Sequence, residues 1–299
     1  MMISIIVPVY NSSNTIEAGL ESLKNQNFCC YEIIAVDNGS SDSSKEKIKN
    51  FKEVILLEEF KKGPAAARNL GIKNARGDII AFTDSDCCVS EDWLSKIFET
   101  FNNHKEAHAI GGSVLNANPN NLISRASEIS DFGLISYSKK NTPRWVRIVP
   151  TLNAAYRREV FNELGCFDDD IKYAAGEDAL FNWRLVKNRK KIFFNPEIKV
   201  MHFHRSTIKS FLRKKYIYGK GYVITRIKDS TMPNAMPFTK RYLLPFFIFA
   251  IFFGGLYNDV TSYIKFCNKN IRDIFVFPLI VLGRVAHVTG AFMEIVRNK

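Results

Sequence analysis

Four short apolar runs, rich in β-branched residues, lie in the first third of the chain and predict buried strands. They are ISIIVPVY (3–10), EIIAVD (32–37), EVILLE (53–58) and DIIAFTD (78–84). Stretches with Ser, Asn or Pro start signals for helices separate these runs, namely Asn14 to Asn25, Ser43 to Phe51 and Ala65 to Asn74. Because nearly continuous apolar strands alternate with helices, the pattern predicts an α/β fold built on a parallel sheet with both faces covered.

Polar residues collect where these strands end, in PVYN, VDNGSSD and TDSD. Ligands of such sheets bind at the carboxyl ends of the strands. Asp84 and Asp86 flank a single serine there, a spacing that suits one carboxylate facing a nucleotide and the other facing a divalent cation, Mg²⁺ or Mn²⁺. The alternative is an Asx-turn that caps a helix near Trp93.

The composition indicates a folded and basic protein. Of its 299 residues 46% are hydrophobic, which is enough for a full core in one large domain or two small ones. The net charge of +12 suits an anionic partner: nucleic acid, a nucleotide diphosphate or an acidic membrane surface. The N-terminal MMISIIVPVYN lacks the basic region and the cleavage site of a signal peptide, so it is interpreted as a strand.

Six cysteines occur without a CxxC pair: Cys29, Cys30, Cys87, Cys88, Cys166 and Cys267. This spacing favours reduced thiols in a cytosolic protein and argues against zinc ligation. Cys87 and Cys88 directly follow the carboxylate pair and are interpreted as small packing residues.

Six motifs in a fixed order give the chain a family resemblance. They are SIIVPVYN, EIIAVDNGSSD, GPAAARNLGI, DIIAFTDSDC, NAAYRREVFNELGCFDDD and GEDALFNWRL. Through them, about residues 1–225 resemble the family 2 glycosyltransferases, which are inverting, nucleotide-sugar-dependent enzymes. The resemblance implies the GT-A fold, a Rossmann-like mixed, mostly parallel sheet flanked by helices. Asn38 departs from the family pattern, since many members carry a second Asp there.

The resemblance also implies which residues bind the donor, a UDP- or GDP-sugar. These are Pro8, Tyr10, Asp37, Arg68, Asp84 and Ser85. Asp37 is expected to contact the nucleobase, and Arg68 to face the diphosphate from a helix that starts at Gly63-Pro64. The residues alone leave a turn cap open for Asp37 and a solvated helix position open for Arg68. Asp86 is implied to hold Mn²⁺ or Mg²⁺, which neutralises charge on the departing diphosphate.

A second carboxylate pair opens the segment GEDALFNWRL. Gly176 permits a tight turn, after which Glu177 and Asp178 begin a helix whose other face is apolar. Sugar transfer by direct displacement needs a base that takes the proton of the acceptor hydroxyl. The resemblance implies Asp178 as that base with Glu177 as its neighbour, although acids in a first helical turn are also common partners of the helix dipole.

Two histidines, His202 and His204, lie two residues apart in PEIKVMHFHR, which is predicted as a strand, and therefore on the same face. Imidazole nitrogen suits a Mn²⁺-type ion already held by Asp86, and some family members place a metal-binding His in this region. Packed or surface histidines are the alternative. Of the two, His202 is favoured as a ligand.

The segment from Arg205 to Lys228 contains eight Lys and Arg residues, no acid and several aromatic residues. Basic and aromatic residues interleave in nucleic-acid-binding proteins, but no signature of a nucleic-acid module accompanies them here, and no nucleic-acid partner is expected. The resemblance offers the donor diphosphate or a lipid phosphate as the anion, and a solvated helix face is the alternative. Within the segment, YGKG is expected to form a flexible lid.

Two apolar runs follow a Pro-rich break at 231–238: YLLPFFIFAIFFGGLY (242–257) and IFVFPLIVLG (274–283). Both are shorter than the about 20 apolar residues of a comfortable membrane span, and both contain proline. They predict a helical hairpin that lies in, or dips into, the cytosolic leaflet. Basic residues nearby favour an anionic surface: Lys240, Arg241, Lys265, Lys269 and Arg272. A buried core hairpin or a homodimer interface is the alternative.

The sequence thus predicts a GT-A catalytic domain over residues 1–230 and a membrane-associated helical segment over 231–299. The predicted function is inverting, metal-assisted transfer of a sugar from a nucleotide-diphosphate donor to a polysaccharide, glycolipid or lipid-linked acceptor. This chemistry is placed in cell-envelope biosynthesis, at the cytoplasmic face of the cell membrane. The alternatives are a nucleic-acid-binding α/β protein and a nucleotidyltransferase, but VPVYNSSNTIE lacks the Gly-, Arg- or Lys-rich triphosphate loop of the latter.

Overall fold

The computed structural model describes residues 1–136, 142–171, 173, 175–238, 240–266 and 274–297. The chain forms two compact units. The sheet unit comprises Met1–Leu115, Thr142–Lys172 and Phe181–His202, and the helical unit comprises Asn116–Asn141, Tyr173–Leu180 and Phe203–Lys299. A domain boundary at residue 230 stays a prediction. Of the residues singled out above, Cys267, Lys269 and Arg272 lie outside the described part of the chain.

The sheet contains nine strands among the described residues. They are β1 Ile3–Val9, β2 Tyr31–Asp37, β3 Val54–Glu58, β4 Ile79–Thr83, β5 Cys87–Val89, β6 Ala107–Asn116, β7 Arg144–Val146, β8 Asn153–Arg157 and β9 Lys191–His202. Their order across the sheet is β3-β2-β1-β4-β8-β6-β9-β5, and β7 pairs with β9. The strands β3, β2, β1 and β4 are parallel, whereas β8 is antiparallel to β4 and β6, and β5 to β9.

The helices are α1 Ile16–Lys24, α2 Ser44–Ile48, α3 Pro64–Asn74, α4 Trp93–Asn103, α5 Leu122–Ser136, α6 Arg158–Leu164, α7 Glu177–Lys187, α8 Ile208–Lys228, α9 Leu244–Phe266 and α10 Val276–Arg297. A 3-10 turn, Arg241–Leu243, precedes α9. The four strands and three helices predicted in the first third of the chain correspond to β1–β4 and α1–α3. The predicted mixed α/β sheet flanked by helices is therefore confirmed, as is the C-terminal hairpin of two apolar helices, α9 and α10.

Aromatic rings form the centre of the sheet unit's core. Phe82 of β4 contacts Phe167 with ring centroids 5.5 Å apart, and Phe161 of α6 stacks on Phe181 of α7 at 5.2 Å. Tyr156 of β8 lies edge-on to the first of these rings. Such pairs each contribute about 0.5–1.5 kcal/mol beyond the area that they bury, so the motifs NAAYRREVF and GEDALF supply the core as well as candidate chemistry.

One buried asparagine joins several elements of the sheet. The side chain of Asn153 accepts a hydrogen bond from Trp93 Nε1 (2.9 Å) and donates to the carbonyl oxygens of Ser113 (2.8 Å) and Ile198 (3.0 Å). The backbone of β6 comes so close that a Cβ at Gly112 would lie 2.0 Å from the Ile198 oxygen. A buried amide with all these partners fixes β6, β8, β9 and α4 relative to one another.

In the helical unit, α8 and α10 pack backbone to backbone at two glycines. A Cβ at Gly219 would lie 1.8 Å from the carbonyl oxygen of His287, and a Cβ at Gly290 would lie 1.9 Å from that of Tyr216. Both positions therefore need glycine for the helices to approach. The YGKG segment lies inside α8 (Ile208–Lys228), so the expectation that it forms a flexible lid is wrong. Gly219 of this segment packs against α10, and Gly221 packs against Ala175.

A buried ion cluster lies between α5 and α8. Asp131 on α5 accepts from Lys215 Nζ at 2.5 Å and pairs with Lys214 Nζ at 3.0 Å, and all three side chains are largely shielded from solvent. Burial opposes ionisation, but the two ammonium groups outweigh it and hold the pKa of Asp131 well below its usual range. Part of the basic segment is thus an internal charge cluster and not a solvated helix face.

Candidate active site at the strand ends

The carboxyl ends of β1, β2 and β4 meet at one edge of the sheet, because these strands are parallel and in register. Pro8 and Tyr10 lie at the end of β1, and the Tyr10 ring is exposed with Lys62 Nζ 5.2 Å from its centroid. Asp37 ends β2 opposite Val9. The sheet therefore gathers the predicted donor residues from β1, β2 and β4 on one edge.

The carboxylate of Asp37 caps the turn that follows β2. It accepts hydrogen bonds from the backbone N–H groups of Gly39 (3.1 Å) and Ser40 (3.2 Å), and its residue is 3% exposed. The turn cap left open by the sequence is therefore present. Contact with a nucleobase stays a prediction for Asp37.

Asn38 ties the end of β2 to the loop that leads into α3. Its Nδ2 donates to the carbonyl oxygens of Glu59 (3.0 Å) and Lys61 (2.8 Å), and its Oδ1 accepts from the N–H of Gly63 (2.8 Å). Gly63 has φ 125°, a value that favours glycine, and Pro64 begins the helix. An ionised aspartate side chain at position 38 would have no N–H to donate to these two carbonyl oxygens. The departure from the family pattern therefore stabilises the loop that leads into α3.

We expect Asn38→Asp to lower the free energy of unfolding by about 1–3 kcal/mol, the cost of leaving buried polar groups without their partners. The carboxylate would face two carbonyl oxygens that now accept from the amide. Chemical denaturation measures the loss, and the exposed Asn50→Asp is the matched control. Equal stability of the two variants and the parent would contradict this role.

Arg68 and Asp84 form an ion pair at the same edge. Arg68 extends from α3, is 3% exposed, and places Nη2 3.0 Å from Asp84 Oδ1. Its guanidinium also lies 5.9 Å from the centroid of the Phe167 ring. The solvated helix position considered for Arg68 is thus not observed. A buried arginine beside a strand-end carboxylate provides fixed positive charge for an anion that arrives at this edge.

Ser85 joins this edge to the loop before α1. Its hydroxyl is 2.6 Å from that of Ser12, and its carbonyl oxygen accepts from Thr15 Oγ1 at 2.9 Å. Ser85 is buried, so its side chain fixes the loop in the structure, and its predicted contact with the donor stays a prediction.

Asp86, Cys87 and His202 form a cluster of potential metal ligands. Asp86 Oδ1 is 3.4 Å from His202 Nε2, and one ligand atom from each of the three residues lies within 4.8 Å of the others. The carboxylate and imidazole are ligands that suit Mn²⁺ and related ions. Burial, reinforced by the carboxylates of Asp86 and Asp84, raises the pKa of the Cys87 thiol well above its usual value. The sequence-based interpretation of Cys87 as packing missed its place in this cluster.

His204 lies outside β9, so the expectation that both histidines share one strand face is wrong. The strand ends at His202, because its pairing with β5 stops at the pair Cys87–His202. His204 belongs to the helical unit, where its buried ring lies 5.7 Å from that of Phe132. Metal ligation by His204 stays a prediction.

Glu177 and Asp178 occupy the first turn of α7, as predicted. Gly176 precedes them with φ 95°, and a Cβ there would lie 2.6 Å from the Thr225 side chain, so only glycine fits this turn. Glu177 is buried, whereas Asp178 is half-buried and accepts from the N–H of Ala179 at 2.7 Å. Asp178 therefore lies at the start of the helix within reach of solvent.

A family model for glycosyl transferase family 2 matches residues 4–165, more than half of the 299-residue chain. The chain belongs to glycosyl transferase family 2. Glycosyltransferase AglE of Haloferax volcanii is 29% identical to it over 231 residues, which cover 74% of this chain and 73% of that protein. The UDP-Glc:alpha-D-GlcNAc-diphosphoundecaprenol beta-1,3-glucosyltransferase WfgD of Escherichia coli is 40% identical over 101 residues, 33% of this chain and 38% of that protein.

The glycosyltransferase also resembles a solved structure over nearly its whole length. Mannosyltransferase PcManGT of Pyrobaculum calidifontis, in complex with GDP-Man and Mn²⁺, aligns with a TM-score of 0.66 and 16% identity, covering 99% of this chain and 88% of that one. At this identity the similarity shows the fold alone. The GT-A fold and the glycosyltransferase class of the enzyme are confirmed, and the roles of individual residues stay open to proposal.

Proposed function

We propose that this glycosyltransferase moves a sugar from a UDP- or GDP-sugar to a lipid-linked or polysaccharide acceptor, with inversion at the anomeric carbon and the help of a divalent cation. The observation that carries the proposal is the Asp86–His202 pair, 3.4 Å apart, next to strand-end residues that include the Arg68–Asp84 ion pair. A carboxylate, an imidazole and a buried guanidinium match the charge of a metal-bound diphosphate.

The carboxylate of this donor set suits Mn²⁺ or Mg²⁺, and the imidazole favours a transition-metal ion such as Mn²⁺ over Mg²⁺. Asp86 Oδ1 and His202 Nε2 would hold the ion, while Arg68 would orient the diphosphate and Asp84 the ribose. When bound, the cation supplies Lewis-acid neutralisation of the charge that builds on the leaving diphosphate. Mn²⁺ accompanies GDP-Man in the structure of PcManGT, which supports a cation of this kind.

The proposed donor site further includes Pro8, Tyr10, Asp37 and Ser85. Tyr10 is exposed at the end of β1 and offers its ring face to a base, and Lys62 adds a positive charge near it. UDP-Glc appears in the name of WfgD, and GDP-Man is bound in the structure of PcManGT, so both UDP and GDP are tested.

Asp178 is the proposed base, with Glu177 as its neighbour. Its carboxylate would take the proton of the acceptor hydroxyl as that oxygen attacks the anomeric carbon, opposite the leaving diphosphate. A base that acts directly on the acceptor, without a covalent sugar–enzyme intermediate, produces inversion in a single displacement. Glu177 is buried and would hold the helix start in place.

Two apolar helices support association with a membrane. Leu244–Lys265 and Val276–Arg297 are long and apolar enough to cross a bilayer by length and composition, although one or two such helices are weak support for a span. On α9 the side chains of Phe246, Phe249 and Phe253 are exposed and share one helix face. We propose that this face lies in the cytoplasmic leaflet, where a lipid-linked acceptor such as the diphosphoundecaprenol named for WfgD is presented.

We expect the triple variant Phe246→Ser, Phe249→Ser, Phe253→Ser to weaken vesicle binding strongly, because each buried phenylalanine contributes about 1.5–3 kcal/mol, or about 10- to 100-fold. Flotation with vesicles that contain anionic phospholipid measures it. Substitution is preferred to deletion, since Phe247 and Ile251 of the same helix pack with Val223 of α8. Phe60→Ser, at an 84% exposed aromatic of the sheet unit, is the matched control.

Unchanged flotation of the triple variant would contradict the membrane proposal. If the variant instead changed from dimer to monomer in light scattering, the aromatic face would be a homodimer interface. That outcome would replace the membrane as the partner of α9.

The ligands that the protein binds distinguish a glycosyltransferase from a nucleic-acid-binding protein and from a nucleotidyltransferase. We expect UDP or GDP with Mn²⁺ to raise the melting temperature of the full-length enzyme, and single-stranded RNA or DNA to leave it unchanged, because ligands stabilise the folded state that binds them. Stabilisation by nucleic acid without any effect of nucleotide would support the nucleic-acid-binding alternative. Release of pyrophosphate from a nucleoside triphosphate would support the nucleotidyltransferase.

A further inference from the structure

The sheet unit places a cysteine thiol beside the two proposed cation ligands. Cys87 lies directly opposite His202 in the antiparallel pair β5–β9. Side chains of directly opposed residues project from the same face of a sheet, with Cβ atoms about 4.5–5.5 Å apart. Asp86 precedes Cys87 in the chain, and the ligand atoms of the three residues lie within 4.8 Å of one another. The thiol therefore belongs to the same cluster as the carboxylate and the imidazole.

The separations within the cluster suit a single shared cation. Asp86 Oδ1 is 3.4 Å from His202 Nε2 and 4.0 Å from Cys87 Sγ. Two nitrogen or oxygen ligands about 2.1 Å from a tetrahedral ion lie roughly 3.4 Å apart, and the longer metal–sulfur bond of about 2.3 Å widens the separation to a thiolate. The Asp86–His202 separation matches this value, and the Asp86–Cys87 separation is slightly longer than it. The Cys87 sulfur and the His202 ring nitrogen lie within 4.8 Å of each other, so the Cys87 and Asp86 side chains would both turn slightly toward a shared ion.

The backbone around the thiol is fixed by contacts of its own. The N–H of Cys87 donates to the carbonyl oxygen of Asp84 at 3.1 Å. Helix α1 approaches so closely at Gly19 that a Cβ there would lie 2.8 Å from the carbonyl oxygen of Cys87. The position of Cys87 thus depends on the turn after β4 and on helix packing, and both hold its side chain beside His202.

We propose that Cys87 is a third protein ligand of this cation site and gives it a preference for Zn²⁺-class ions, including Co²⁺ and Cd²⁺, for which thiolate is a favoured ligand. The inference rests on the proposed role of Asp86 and His202 as cation ligands. When the Sγ–metal bond forms, the thiol proton passes to solvent. Three protein ligands would leave room on the ion for water or a diphosphate oxygen. In this proposal Cys87 binds the cation in addition to packing in the core of the sheet unit.

Cys88 provides a matched control. It is the next residue of β5, so its side chain projects from the opposite face of the strand. Cys88 is half-buried and does not belong to the cluster of Asp86, Cys87 and His202. Cys88→Ser removes a thiol from the same strand without removing one from the cluster.

The test is a Co²⁺ titration of the metal-free, full-length protein without nucleotide. All variants carry serine at the exposed Cys29 and Cys30, so that these thiols do not compete. We expect the sulfur-to-cobalt charge-transfer band in the parent and in Cys88→Ser at one equivalent of Co²⁺, and no band in Cys87→Ser. Because Zn²⁺ binds most mixed sites more tightly than Mn²⁺, the ratio of the two affinities is the diagnostic quantity, and Cys87→Ser should lower it about 10- to 100-fold.

Co²⁺ binding to the parent without a sulfur band would overturn the role of Cys87 and leave the Asp86–His202 proposal standing. A band that survives in Cys87→Ser would also overturn it. Absence of both Co²⁺ and Mn²⁺ binding would remove the cation from the proposed function itself. If Cys87→Ser does not fold, cadmium NMR of the parent gives the answer directly, since a thiolate ligand shifts the cadmium resonance downfield and its absence does not.

Discussion

Replacement of Asp178 by Asn is expected to reduce sugar transfer by about 10²- to 10⁴-fold while the fold and donor affinity are kept, because only the proton acceptor is lost. Asn is nearly isosteric, and its side-chain oxygen still accepts from the N–H of Ala179 as the carboxylate does at 2.7 Å. The measurement is the transfer rate at saturating donor, alongside donor affinity from calorimetry.

Glu177→Gln is the matched control for that experiment. Glu177 is the neighbouring first-turn acid and is buried, so its substitution tests the helix start and not the proposed base. We expect Glu177→Gln to affect stability more than Asp178→Asn does. Near-normal transfer by Asp178→Asn, with a large loss in Glu177→Gln, would transfer the role of base to Glu177.

Replacement of Asp86 by Asn is expected to weaken the Mn²⁺-dependent part of nucleotide binding by about 10- to 100-fold or more. Loss of a residue that only hydrogen-bonds to a metal ligand already weakens metal binding by this factor. Its Oδ1 is the atom 3.4 Å from His202 Nε2, and Asn offers the ion a neutral and weaker ligand there. Titration of UDP and GDP with and without Mn²⁺ measures the difference.

Asp92→Asn is the control for Asp86→Asn, since Asp92 lies before α4 and pairs with Lys96. It should bind nucleotide as the parent does. An unchanged Mn²⁺ dependence in Asp86→Asn would show that the carboxylate holds no cation. A parallel change in both variants would indicate a general loss of folding.

The α/β architecture was accessible from the sequence because its strands are short, apolar and bounded by turn residues. Strand ends that carry Asp37, Asp84 and Asp86 follow directly from where those runs stop, and parallel pairing places them on one edge. Local periodicity does not record which residues face each other across antiparallel strands. For that reason Cys87 was interpreted as packing, although it lies opposite His202.

Other features depend on long-range partners that a pattern of residue types does not specify. The basic segment of α8 contains Lys214 and Lys215, whose shared partner Asp131 lies on α5. Its YGKG glycines resembled a mobile loop, but Gly219 serves the contact of α8 with α10 and Gly221 lies against Ala175. The side chain of Asn38 bonds to a loop more than twenty residues later, so the physical reason for its departure from Asp emerged only from the fold.

In the sequence the apolar C-terminal runs are shorter than a comfortable span, and each also contains a proline. In the structure Pro245 is the second residue of α9, and Pro278 the third residue of α10. A proline in the first turn of a helix removes no intrahelical hydrogen bond, so both helices continue for more than 20 residues. The two prolines therefore mark helix starts and do not interrupt the helices.

The most direct test of the central claim is a panel of UDP- and GDP-sugars scored by release of nucleoside diphosphate from the full-length enzyme. We expect the enzyme to release nucleoside diphosphate from one donor in the presence of Mn²⁺. Chelation of the ion and the variant Asp86→Asn should each abolish this release. A lipid-linked acceptor should increase the release further, and Asp178→Asn should abolish that increase. Release of no nucleoside diphosphate from any donor, by a folded enzyme supplied with Mn²⁺ and vesicles, would contradict the proposed function.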